Sequence, residues 1–290
     1  MVRKIFKISD EQIKEMYLNG SSLSDIAKIA QDTKGLMALR KRLQDLGVDT
    51  TKNMKKYSEK LSKAFKKYKL NKTVFDTIDT EEKAYWLGFL MSDGYNHETH
   101  SQVSLRLQAD DKEILEKYKM FLETDVPIYT FKRLTPEKKR EREYCEVTVS
   151  SPYLCKALSK LGCVQAKTYI LEFPKLPKNL LQHFIRGYFD GDGCLSVKDR
   201  LDRRKVYGKS MIYQFTIVGK KEFLLEIQKV LIENIDIPCL NLRDTKSFVK
   251  VLHYTGKNIV SKIMNYLYKD ATIYLKRKHD LYNKYCNSAE

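Results

Sequence analysis

Two acidic residues stand at matching places in the chain. Asp93 closes the run Trp86-Leu87-Gly88-Phe89-Leu90-Met91-Ser92-Asp93-Gly94, and Asp192 closes Phe184-Ile185-Arg186-Gly187-Tyr188-Phe189-Asp190-Gly191-Asp192-Gly193. Each acid precedes a glycine and follows an apolar, helix-like run with a glycine inside it. One carboxylate per copy in a basic chain implies a pseudo-symmetric enzyme, with one acid for each strand of a duplex. A single Asp-Gly step at a helix end is a common stop. An acid there opposes the helix macrodipole, at a cost of a few tenths to about 1 kcal/mol. The same cost accepted twice at the same place points to function. Gly88 and Gly187 add a second cost, about 1 kcal/mol each relative to alanine inside a helix. Close packing of two helix backbones explains it.

Composition narrows the partners. The 290 residues include 54 Lys and Arg against 37 Asp and Glu, a net charge of +17. That surplus favours a polyanion, either nucleic acid or an anionic membrane. No apolar run approaches the roughly 18 residues of a spanning helix, and the start has no apolar signal core. An intracellular, cytoplasmic protein with no membrane partner is expected. Apolar content of 42% supports a folded core. The six cysteines include no Cys-x-x-Cys pair, so they read as reduced thiols and not as a zinc site. His97 and His100 lack a second ligand pair nearby.

The elements that must position the acids follow from periodicity. Residues 1–50 read as three short helices. Ser9 or Asp10 caps the first, which runs to Leu18. Ser22 or Ser24 opens the second, and the third spans roughly Lys34 to Leu46 before Gly47. This resembles a helix-turn-helix unit, with Lys34, Arg40, Lys41 and Arg42 on or beside the third helix, where DNA recognition needs donors. A plain three-helix bundle with a solvated basic face is the alternative. Residues 51–75 are dense in lysine and read as a linker or as a helix that tracks phosphates. Then come two repeats, 76–178 and 179–290. Each carries its motif helix, an alternating strand (Val103–Leu107; Tyr213–Ile217), a helix, and a strand after a proline (Val126–Tyr129; Ile237–Leu240). A further strand and a closing helix complete each repeat. The expected class is α+β with antiparallel sheets.

The two motifs resemble the paired signature of the LAGLIDADG homing endonucleases. The segment Lys83-Ala84-Tyr85-Trp86-Leu87-Gly88-Phe89 resembles the phage and bacterial branch, in its free-standing, single-chain form. The first motif departs from the pattern at Met91, where an acid is common. The resemblance covers roughly residues 76–285. It implies a pseudo-twofold tandem repeat with saddle-shaped sheets, and motif helices packed at Gly88 and Gly187. It also implies that Asp93 and Asp192 lie side by side above the minor groove. Carboxylates that close repel unless a cation separates them, and Mg²⁺ fits. Asp93, Gly94, Asp192 and Gly193 are the implied metal positions. Phosphodiester hydrolysis leaving staggered 3′ overhangs is the implied reaction. Asp190 matches a position that faces outward or caps structure. Lys167 resembles the family's catalytic lysine, with Lys269 or Lys276 as its counterpart in the second repeat.

Strand period assigns the contacts. Ser104, Arg106 and Gln108 alternate with Val103, Leu105 and Leu107 and form a polar face that suits a major groove. Lys132 and Arg133 lie in the next strand. Gln214 and Thr216 take the same part in the second repeat, joined by Asn241 and Arg243. The expected protein is a monomeric, site-specific double-strand DNA endonuclease of a mobile element, with a long, non-palindromic target. The chain termini lack the residues that intein splicing needs. A non-cleaving DNA-binding regulator of the same fold and an RNA-splicing maturase stand as rivals.

Overall fold

The structure, a computed structural model, describes residues 8–30, 36–50, 68–134, 141–164, 170–201, 209–245 and 247–287. The chain forms two compact units, residues 1–67 and 68–290.

The first unit holds α1 (Asp10–Leu18), α2 (Leu23–Ile29) and α3 (Leu36–Asp45). Ser9 starts α1 with a capping box. Its hydroxyl accepts from the Gln12 amide at 3.2 Å, and the Gln12 side chain accepts from the Ser9 amide at 2.9 Å. Ser22 caps α2 at the amide of Asp25. Gly20 ends the first turn with φ of 96°, a conformation that glycine adopts without strain. Ile13, Tyr17, Ile26, Leu39, Leu43 and Val48 close a separate small core.

The second unit repeats one plan. The first half runs α4 (Glu81–Ser92), β1 (Gly94–His97), β2 (Gln102–Gln108), α5 (Lys112–Phe121), β3 (Tyr129–Leu134), β4 (Glu141–Ser150) and α6 (Pro152–Lys160). The second half runs α7 (Leu181–Asp192), β5 (Gly193–Leu201), β6 (Lys209–Gly219), α8 (Lys221–Asn234), β7 (Arg243–Asp244), β8 (Lys250–Thr255) and α9 (Lys257–Tyr268), followed by α10 (Lys276–Tyr285). The sheets are ordered β1-β2-β4-β3 and β5-β6-β8-β7, and every pairing is antiparallel. This is the expected α+β class in two matching halves. Even the register agrees, with Gly94 opposite Leu105 and Gly193 opposite Ile217.

The two motif helices explain their own composition. Ala84 to Met91 of α4 and Phe184 to Asp190 of α7 are buried without a break. In α4 the buried stretch is apolar apart from the Tyr85 hydroxyl and the Trp86 indole N–H, as a helix enclosed on all sides requires, whereas α7 buries Arg186 and Asp190 with partners. One core, running from Val74 and Phe75 through both sheets to Tyr282 and Cys286, surrounds them.

Three differences from the expected elements have physical causes. Residues 68–75 belong to this unit and not to a linker. Lys69 and Asn71 bond to Asp125, Thr124 and Glu123, while Val74 and Phe75 enter the core. The strands expected at 126 and 237 begin later, at Tyr129 and Arg243. Pro127 and Pro238 have no amide proton for a ladder. Finally, α10 follows the second repeat, where no helix was expected.

Candidate active site

The motif helices touch through their backbones. A Cβ on Gly88 would lie 2.8 Å from the amide nitrogen of Tyr188, and closer still to the carbonyl oxygen of Phe184. A Cβ on Gly187 would lie 2.8 Å from the carbonyl carbon of Tyr85 and closer to its oxygen. Only glycine permits this approach.

The crossing brings the helix ends together. Asp192 is the last residue of α7, and Asp93 follows the last residue of α4, its amide donating to the Phe89 carbonyl at 3.0 Å. Both acids are exposed. A Cβ on Gly191 would stand 3.3 Å from Asp93 Oδ2, so the Asp93 carboxylate reaches the residue beside Asp192. Both charges act on one neighbour: burial, then Asp192 and Asp93, hold the Tyr188 phenol well above its ordinary pKa. A cavity of about 220 Å³ opens here, lined by Asp192, Tyr188, Met91, Ser92 and Lys220 among others.

A buried polar network anchors the end of α7. Asp190 is fully buried, and its carboxylate accepts from the Tyr85 hydroxyl at 2.9 Å, the Leu275 amide at 2.7 Å and the Tyr268 hydroxyl. Burial raises its carboxyl above the usual range, against Lys278 and these donors. Asp190 therefore neither faces outward nor caps an exposed end. Lys278, 2% exposed, donates to the carbonyls of Asp190 at 2.8 Å, Gly193 at 2.6 Å and Phe189. The Phe189 carbonyl also accepts the Gly193 amide, so Lys278 adds to the cap at this helix end, where a cation suits the macrodipole. Burial pushes the Lys278 ammonium down to about 8, offset by the nearby Asp190 and Asp93 carboxylates.

Of the proposed lysines, Lys269 and Lys276 are described. Lys269 caps the end of α9 and lines a groove of about 450 Å³ with Gln182. Gln182 and Asp192 are separated by ten residues of one helix, roughly 15 Å. Lys276 is exposed at the start of α10, two residues from the buried Lys278. Lys167 and Lys34 lie outside the described residues. Lys278 and Lys220 are thus the described lysines that meet the acidic end of α7, and neither was foreseen. A signal for Lys278 was present: it shares the inward stripe of α10 with Tyr282.

The donor set suits a hard cation. Mg²⁺ keeps several waters and takes one or two carboxylates with phosphate oxygens. Two exposed carboxylates meet that need. Among the described residues no cluster of three or more His, Cys, Asp or Glu side chains occurs, so water and phosphate would complete the shell. The Gly193 carbonyl already accepts from the Lys278 ammonium, which makes it a poor partner for a second cation. His97 and His100 contact each other at 3.0 Å without forming such a cluster.

Each sheet keeps one face open. Ser104, Arg106 and Gln108 alternate with buried Val103, Leu105 and Leu107, as expected. Arg106 is paired with Glu146 at 3.1 Å and lies over the Phe131 ring. Arg133 shares this face, opposite Arg142. Lys132 does not: it sits opposite Glu143 on the other face and pairs with Glu141 at 3.5 Å. Alternation along a strand forbids two neighbours on one face. In the second sheet Gln214 and Thr216 face outward, with Thr216 in contact with His253 at 3.2 Å. Arg243 shares that face opposite Val251, and Asn241 is exposed just before it. In the first unit Lys41 is exposed and Arg40 half-buried, whereas Arg42 is bound to Asp10 of α1 and braces the helix pair.

No protein-family model matches the chain, and no curated protein matches it. Solved structures do. The chain is similar to the I-LtrWI LAGLIDADG homing endonuclease bound to target DNA, with 16% identity and a TM-score of 0.47 over 71% of this chain and 90% of that one. It is similar to the LAGLIDADG meganuclease I-AabMI bound to uncleaved DNA, with 14% identity and a TM-score of 0.46 over 70% and 88%. It is also similar to the I-SmaMI LAGLIDADG homing endonuclease bound to cleaved DNA, with 13% identity and a TM-score of 0.47 over 72% and 88%. No described helix is long and apolar enough to cross a membrane.

Proposed function

We propose that this chain is a site-specific double-strand DNA endonuclease that hydrolyses phosphodiesters with Mg²⁺ held by Asp93 and Asp192. The observation that carries this is the pair of exposed carboxylates at the ends of two helices whose backbones touch, one from each repeat. A net charge of +17 supplies the attraction for a duplex.

The residues divide the work. Gly88 and Gly187 let the helix axes approach until the two acids share one region. Lys278 and the network at Asp190 fix the last turn of α7, so that Asp192 presents its carboxylate in one place. Lys220 lines the cavity beside Asp192 and offers an ammonium to a phosphate oxygen there. Mg²⁺, when bound, supplies the positive charge that activates water and stabilises the leaving oxygen. The open faces of the two sheets take the flanking duplex, one half-target each, so the target need not be palindromic. The first unit lengthens the contact through the exposed face of α3 and Lys41.

The test is cleavage of a randomised duplex library in Mg²⁺, beside Asp93→Asn and Asp192→Asn. Discrete cuts in both strands are expected, abolished by either change with duplex binding retained. Sequence-specific binding without any cut, in Mg²⁺ or Mn²⁺, would replace the nuclease with a DNA-binding regulator.

A further inference from the structure

The two halves share a register but differ in chemistry at one row of their open faces. One residue beyond the partner of Gly94, Arg106 stands opposite Glu146, which stands opposite Tyr129. One residue beyond the partner of Gly193, Val218 stands opposite Val251, which stands opposite Arg243. The same three places therefore read Arg-Glu-Tyr in one half and Val-Val-Arg in the other. Both rows look away from the core: Leu105 and Val147 beside the first, and Ile217 and Leu252 beside the second, are buried. Val218 is 37% exposed, Val251 partly so, and Arg243 is exposed. The second row also lies near Asp192, because Val218 and Asp192 line one cavity.

The two rows recognise different bases. Aliphatic side chains contact the C5 methyl that only thymine shows in the major groove. A paired arginine and glutamate offer a donor fork and an acceptor, which match guanine and cytosine edges. We infer that the target is unlike in its two halves at this row: Val218 and Val251 read an A·T pair through its methyl, and Arg106 and Glu146 meet a G·C pair at the symmetric position. This rests on the endonuclease reading and adds the base class that each half takes.

The experiment uses the full chain and the duplex it selects from a randomised library. Each thymine of that duplex is replaced in turn by deoxyuridine, which removes only the methyl. Binding is expected to weaken roughly fourfold at a thymine near the cut, the effect of one buried methyl. Val218→Ala with Val251→Ala should erase that difference. Val218→Arg with Val251→Glu should move the preference at the same position from A·T to G·C. Tight duplex binding with no methyl effect near the cut, or a methyl effect that survives the alanine variant, overturns the inference and leaves the nuclease standing. Failure to select or bind any duplex overturns both.

Discussion

A single methyl group tests how α4 and α7 meet. Gly88→Ala and Gly187→Ala would each drive a Cβ into backbone atoms that cannot swing aside. Each should cost at least about 3 kcal/mol in urea unfolding, the upper range for overpacking. Gly191→Ala would drive its Cβ to 2.6 Å from Ser92 Cβ, which is fixed to its backbone, and 3.3 Å from Asp93 Oδ2. It should cost about 2 to 3 kcal/mol and displace the Asp93 carboxylate, cutting strand cleavage sharply, as cleavage rates would show. Lys278 gives a pH test. Its pKa is pushed down to about 8 in the folded chain, below the ordinary lysine value of the unfolded one. Between those values the unfolded state binds more protons, so stability rises with pH. The wild type should gain about 1 kcal/mol between about pH 7 and 9 relative to Lys278→Met. At this scale the glycines and terminal acids were legible because each violates a local preference twice. Lys278 was missed although it shares an i, i+4 stripe with Tyr282, because that stripe lies in a helix that is otherwise polar. Lys132 and Arg133 both lie in the strand expected for them, and alternation puts them on opposite faces.

Between elements, α4 and α7 are also joined by charge. Arg186 of α7, 1% exposed, reaches Glu81 of α4 at 2.6 Å and donates to the carbonyls of Leu267 and Ile273 at 2.9 Å each. Burial alone would raise the Glu81 carboxyl, but the Thr272 amide, Arg186 and His183 more than offset it and hold it low. Glu81→Gln leaves the guanidinium buried without a counter-charge and should cost about 3 kcal/mol, read by chemical denaturation at neutral pH. That difference should shrink in acid, as wild-type Glu81 takes up its proton. The motif helices, the alternating strands and the doubled order were legible because each has a strong period. The helix α10 was not. Its sequence KRKHDLYNKY is mostly polar, and its inward stripe is carried by Lys278 and Tyr282. Apolar residues near Val126 and Ile237 read as strands, whereas the fold uses both as buried loop anchors.

For the molecule as a whole, charge sets the scale of binding. If the duplex meets six to ten cationic groups, affinity should fall about a thousandfold or more between roughly 50 and 200 mM salt. Fluorescence anisotropy with a labelled target measures this; a flat response would mean that the surplus charge does not meet phosphate. Residues 68–290 hold their own core, so removal of residues 1–67 should leave the cut position unchanged and lower affinity. The basic surplus was legible in the sequence. What each open sheet face presents depends on register, which only the fold reveals. The contact between α4 and α7 also bears on recombination. The joint is a backbone contact at its centre, flanked by buried side chains and one ion pair. A first half transplanted from another chain would need a glycine at position 88, a carboxylate at position 81 and a hydroxyl at position 85 to seat against the resident second half. Those three places are the least that a replacement first half must keep to seat against the second.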